Sequence, residues 1–295
     1  KICKNTGNTY FLTSCVMVLN NYLENGKMNN NEFNFNNQEL ISDILDICKK
    51  GFNSNVNELN DNLFFKTMKL IGNIYNDYSK DFIGQMDIVQ IINLTFDKYK
   101  DEPEYFYNVI FILKIVCLYH KHYSDEIVDL KLINKIVVQI MIIEQKDDLL
   151  LNYSTLLYNL LINNEDNRNK MCSEEIISNA LNFIDKYSQK LDINKEQKLL
   201  NEVISLRATI ATINNNITIN ENSASKEDDK LELTNQILNY FLKVLYYLTL
   251  NENSNQYITN DRFIQSLIHT IGKPKVDINN VNVSLFCLAN YYTRI

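Results

Sequence analysis

A chain of 295 residues with 45% apolar side chains can bury one or two cores, but six Gly and two Pro are too few for the many turns of an all-β sandwich or barrel. A net charge of −7 and a pI near 5.1 exclude the concentrated basic surface that nucleic acid requires. The 46 Asn, together with abundant Ile, Lys and Tyr, give the chain an AT-rich-genome bias, so an Asn carries a structural message only where its position supports one.

Apolar periodicity, followed from the first residue, predicts long helices alternating with short ones. A long helix over 9–24 is followed by an Asn-rich inserted loop at 25–37, a short helix over 38–50 and a long one over 56–77. Then come a short helix over 86–98, a long one over 103–122 and a short one over 129–143. Pro103 stands at the start of its helix, where a missing N–H costs nothing. Long 147–163, short 174–187 and long 195–213 precede the polar, acidic stretch NNNITINENSASKEDDK, read as a flexible loop over 214–230. The last predicted helices are 231–250, 261–271 and 280–294. No segment is long and apolar enough to span a membrane, since the best runs, 105–119 and 133–143, are short and contain Lys114 and Lys135.

The joint LLYNLLINNEDNRNKM, Leu156–Met171, recurs in kind along the chain: a helix end, a polar link, a half-polar turn, then a helix with paired apolar residues. The pairs are Ile88/Val89, Leu132/Ile133, Ile176/Ile177 and Phe263/Ile264. Such doublets make a stripe wide enough to pack on two neighbours, as an inner layer of stacked helices must. With long-helix ends such as LIGNIYND, Leu70–Asp77, this pattern resembles the armadillo repeat family. Equivalent ends fall at Asn21, Asn73, Cys117, Asn159, Thr212, Tyr247 and Asn290, in steps of 52, 44, 42, 53, 35 and 43 residues. The resemblance implies an all-α, right-handed α-solenoid of about six or seven armadillo-like repeats, a single repeat domain over 1–295. The uneven steps around Thr212 mark a degenerate repeat.

No catalytic, metal or cofactor site is expected. Cys117 and His120 share helical spacing, but two ligands do not make a zinc site, and packing and a helix C-terminal cation are the better accounts. Cys3, Cys15, Cys48, Cys117, Cys172 and Cys287 show no CxxC spacing and read as buried thiols of a reducing, cytoplasmic protein. In the armadillo family, Asn residues at the long-helix ends line the concave groove and clamp an extended peptide. The resemblance therefore implies a ladder of Asn21, Asn73, Asn159 and Asn290, with Lys69, Thr155 and Lys243 one turn before such ends. Biased composition with helix-ending Asn is the competing account of that ladder. The chain has no Trp to bracket a ligand's Lys, which removes the nuclear-import code. Ser225, followed by Lys-Glu-Asp-Asp, resembles an acidophilic kinase site, against a plain solvated loop.

The expected function is a scaffold or adaptor that holds an extended or helical segment of another protein, without nucleic acid and without direct membrane insertion. Two other readings stay open. One is an armadillo-type regulator or co-chaperone acting on a folded client, such as myosin, a heat-shock chaperone or a small GTPase. The other is a structural subunit of a cytoskeletal or membrane-apposed assembly. The chain starts without Met and ends within an apolar run, and it reads as an excerpt of a longer protein.

Overall fold

The computed structural model describes residues 13–21, 66–71, 87–143, 146–162, 164–191, 222–258 and 261–293. The expected loop at 25–37, the short helix over 38–50, the long helix over 195–213, Asn73 and Thr212 lie outside the described residues. Every regular element among the described residues is helical. None of these helices is long and apolar enough to cross a membrane. The chain groups into two compact units, residues 1–145 and 146–295.

The first unit contains α1 (13–21), α2 (66–71), α3 (Ile88–Tyr99), α4 (Pro103–Tyr119), α5 (Lys121–Asp129) and α6 (Leu132–Ile140). Pro103 occupies the first turn of α4, as its fixed φ favours. Tyr105, Phe106, Val109, Ile110, Ile112, Leu113 and Val116 are all buried, so α4 is apolar around most of its circumference and must lie within the unit. The predicted doublets Ile88/Val89 and Leu132/Ile133 are buried as well. Lys131 takes the left-handed region, φ 54°, at the tight joint between α5 and α6. Side-chain bonds join residues 38 to 46 positions apart. Asn20 Nδ2 donates to Lys66 O at 2.9 Å, Lys135 Nζ to Asp97 at 2.8 Å, and Gln139 Nε2 to Asp101 at 3.1 Å.

The second unit runs through α7 (Asp147–Leu161), α8 (Glu165–Met171), α9 (174–191), α10 (Asn222–Thr249), α11 (Asn255–Ile258), α12 (Asp261–Ile271) and α13 (Ile278–Tyr292). A 3-10 turn, Glu252–Ser254, leads into α11. The α7–α8 joint shows what its Asn residues do. Asn164 caps α8 by accepting from Asn167 N at 3.1 Å. Asn167 Nδ2 and Arg168 then donate to Leu160 O and Leu161 O, both at 3.1 Å, and satisfy carbonyls that the end of α7 leaves open. Further along, Asn251 Nδ2 donates to Arg168 O at 3.3 Å, tying this joint to the next one.

The core of this unit is aromatic. Phe183 of α9 stacks on Phe241 of α10 at 4.8 Å, and Tyr153 of α7 lies 6.3 and 6.0 Å from those two rings. The Tyr153 hydroxyl donates to Asn179 Oδ1 at 2.9 Å. A second buried contact, Ser188 with Thr270 at 2.7 Å, joins α9 to α12.

One expectation is corrected here. The segment 222–230, the later part of the acidic stretch read as a loop over 214–230, is helical and belongs to the 28-residue α10, Asn222–Thr249; residues 214–221 lie outside the described residues. Ser225 therefore lies within a helix. Among the described residues α10 packs directly on α7.

Among the described residues Cys15, Cys117, Cys172 and Cys287 are reduced thiols, with Cys117 and Cys287 buried. Burial pushes the Cys117 thiol up to about 12, Cys172 to about 11 and Cys287 higher still. Because the thiolate is the reactive form, Cys117 and Cys287 are expected to resist maleimide labelling of native protein at about pH 8 and to react fully in denaturant. Peptide mass spectrometry of labelled samples reads this directly. Rapid native labelling of either one would contradict its place in the core.

Candidate partner-binding groove

In the second unit α7 packs on α10 and α10 on α13. Between α10 and α13 runs a groove of about 890 Å³. Glu232, Asn239, Tyr240 and Lys243 line it from α10, and Asn282 and Phe286 from α13.

Its polar floor is a chain of amides. Asn235 Nδ2 donates to Leu231 O and Lys275 O, both at 3.2 Å, while its Oδ1 accepts from Asp277 N at 3.0 Å and Asn280 Nδ2 at 3.1 Å. Asn280, fully buried, accepts in turn from Asn239 Nδ2 at 2.7 Å. Asn235 and Asn280 are consumed by the fold. Asn239 uses one amide hydrogen on Asn280, which leaves its carbonyl oxygen and second hydrogen for a ligand in the groove.

Next to the amides lies an aromatic and cationic row. The Lys243 ammonium sits 5.5 Å from the ring centroid of Tyr158 on α7 and 5.6 Å from that of Tyr240. Those two rings are edge to face at 5.6 Å, and Tyr158 also lies 5.9 Å from Tyr247, whose ring carries the Arg168 guanidinium at 5.9 Å. Rings that could bracket a ligand's cation thus already hold the chain's own lysine. Phe286 continues the row 6.3 Å from Tyr246 and is well exposed.

The structure distributes the predicted ladder unevenly. Lys243 lines the groove. Asn290 does not: its Nδ2 donates to Thr249 Oγ1 at 3.2 Å and bridges α10 to α13. Thr155 is half-buried and its hydroxyl bonds back to Leu151 O at 2.7 Å. Asn159 is half-buried and engaged in a contact of its own. In the first unit Asn21 is exposed at the end of α1, and Lys69 is half-buried on α2. The sequence reading passed over Asn235, Asn239 and Asn280. Asn235 and Asn239 carry an i, i+4 signal on one helix face, but so Asn-rich a composition hides it. Tyr158 and Tyr240 lie 82 residues apart, and only the packing of α7 on α10 brings them together.

No protein-family model matches the chain, and no curated protein matches it.

Proposed function

We propose that the chain is a non-enzymatic, armadillo-like α-solenoid whose layer of long helices binds an extended segment of a partner protein, as a scaffold or adaptor. The observation that carries this reading is the groove beside α10 and α13, where the amide of Asn239 adjoins Tyr240, Lys243 and the exposed ring of Phe286. An amide supplies a donor and an acceptor to a peptide backbone whatever its side chains, while the rings offer apolar area to alternate side chains. The repeat reading is supported by the spacing of side-chain bonds. Lys135 to Asp97 spans 38 residues, Lys190 to Asp147 spans 43, and Asn239 to Asn280 spans 41. Two further bonds span roughly twice as far, 77 residues for Arg262 to Asp185 and 82 for Ser188 to Thr270. A count of about six or seven repeats follows from the recurring long-helix ends.

The test is selection of binders from a displayed library of random peptides, followed by affinity measurement on Asn239→Ala and Phe286→Ala variants. Each variant is expected to weaken selected peptides by about tenfold or more, as central interface anchors do, with thermal unfolding unchanged. Peptides that bind both variants as they bind the parent protein would move the interaction off this groove.

A further inference from the structure

The groove between α10 and α13 carries opposite charges at its two ends. A single face of α10 runs Asp228, Glu232, Gln236, Asn239, Lys243 and Tyr247, in steps of three or four residues. It opens with two exposed carboxylates, passes through two amides and closes on a lysine and a tyrosine. The helix α13 lies parallel to it, because Asn280 bonds to Asn235 and Asn239, Cys287 to Leu242 O and Asn290 to Thr249. Asp277, the N-cap of α13, therefore adds a carboxylate at the same end of the groove as Glu232.

Neither end is neutralised by the described residues. The Lys243 ammonium rests on the rings of Tyr158 and Tyr240, and no oxygen among the described residues accepts a hydrogen bond from it. Tyrosine faces hold a cation in place without supplying a full counter-charge, so the ammonium keeps its protons for a ligand's oxygens. One turn further along α10, Tyr247 carries the Arg168 guanidinium, which donates to Leu161 O, a neutral acceptor. At the other end Glu232 accepts from the Gln236 amide at 3.0 Å, and Asp277 accepts from Asn279 N at 2.7 Å. Both donors are neutral, and no lysine or arginine among the described residues pairs with either carboxylate. Glu232 and Lys243 stand eleven residues apart on α10, about 16 Å along its axis. An extended chain covers that distance in about five residues. A segment charged with one sign alone would be repelled at one end of the groove. We propose that the bound segment is bipolar: an Asp or Glu side chain meets Lys243, a Lys or Arg about five residues away meets Glu232 and Asp277, and the order of the two fixes the segment's direction. The assignment rests on the groove being the binding site and names the chemistry of what it binds.

The probe is a displayed library of random peptides of about 12 residues, more than twice what the groove spans. It is selected in parallel on the parent chain, on Lys243→Met and on Asp228→Asn combined with Glu232→Gln. Methionine keeps an apolar stem on the tyrosine rings, and Asp228 and Glu232 are exposed, so both variants are expected to melt as the parent does. Peptides selected on the parent should carry an acidic and a basic residue about five positions apart, in one order. Selection on Lys243→Met should lose the acidic preference alone, and selection on the carboxylate variant the basic preference alone. A parent-selected peptide should bind each variant about fivefold more weakly. Peptides that are weakened by Asn239→Ala and Phe286→Ala yet carry no such charge pair would overturn the bipolar assignment and leave the groove as the binding site. Both orders in equal numbers would overturn the fixed direction. A library that yields no binder, or only binders indifferent to Asn239→Ala and Phe286→Ala, would overturn the groove reading and the assignment with it.

Discussion

Replacing Phe241 by alanine is expected to lower the unfolding free energy of the second unit by about 3–5 kcal/mol. Phe241 is fully buried, stacks on Phe183 at 4.8 Å and lies 6.0 Å from Tyr153, so one ring is shared by α7, α9 and α10. Truncation removes the transfer free energy of the ring and leaves a void that three helices cannot close without moving. Aromatic contact geometry adds about 0.5–1.5 kcal/mol beyond area. Urea denaturation followed by circular dichroism measures the loss, and a change below about 1 kcal/mol would mean that the three rings are not the centre of the core. A companion substitution separates packing from polarity. Tyr153→Phe keeps the ring but removes the hydroxyl that donates to Asn179 Oδ1. Because Asn179 Nδ2 already has no partner in this structure, the loss leaves the buried amide unsatisfied at both ends. A cost of about 1–3 kcal/mol is expected, smaller than that of Phe241→Ala.

Asp147→Asn is expected to destabilise the same unit by about 1–2 kcal/mol near neutral pH, and the difference should disappear in acid. Asp147 opens α7, where a carboxylate also complements the helix dipole. It accepts from Lys190 Nζ at 2.7 Å and from the Tyr187 hydroxyl at 2.6 Å, both on α9. Partial burial pushes its pKa up. The hydrogen bonds from Lys190 and Tyr187 and the charges of Lys190 and Lys186 push it down and prevail, so the carboxyl titrates below its usual value of 3.8 in the folded chain. The folded state therefore binds the proton less readily than the unfolded state. The stability from this site is fully present above the unfolded pKa, near 4, and is lost as pH falls through the lower folded value. Denaturant midpoints of parent and variant should differ by a constant amount from about pH 5 to 8 and converge below about pH 4. A gap that persists unchanged in acid would assign the effect to packing rather than to the carboxylate.

The helices were legible because their signals are local. The apolar stripe of α12 gave its limits, 261–271, directly, and Pro103 gave the start of α4. The doublets Ile88/Val89, Leu132/Ile133 and Ile176/Ile177 are all buried, because a doublet on a half-polar helix has no other way to leave water. The start of α10 was not legible. From Asn222 to Lys230 the sequence has no apolar period, so a reading based on amphipathicity stops there. Ala, Lys and Glu continue a helix through backbone propensity, without needing a core. The candidate site was less legible still. Family analogy pointed to Asn290, which the fold uses as a bridge to Thr249, whereas Asn239 becomes available only through the register of α13 on α10.

The direct packing of α10 on α7 also bears on how the second unit folds. From Tyr247 to Asn290 the chain closes one long-helix contact across 43 residues, but from Asn159 to Tyr247 it must close one across 88. Loop-closure entropy grows only logarithmically, so doubling the separation costs about 0.6 kcal/mol at equilibrium. The rate is more sensitive, since contacts distant in sequence form late. Helices α10 to α13 should therefore assemble on one another first and meet α7–α9 afterwards, which places the Phe183–Phe241 stack late in folding. Substitutions there are expected to accelerate unfolding more than they slow refolding.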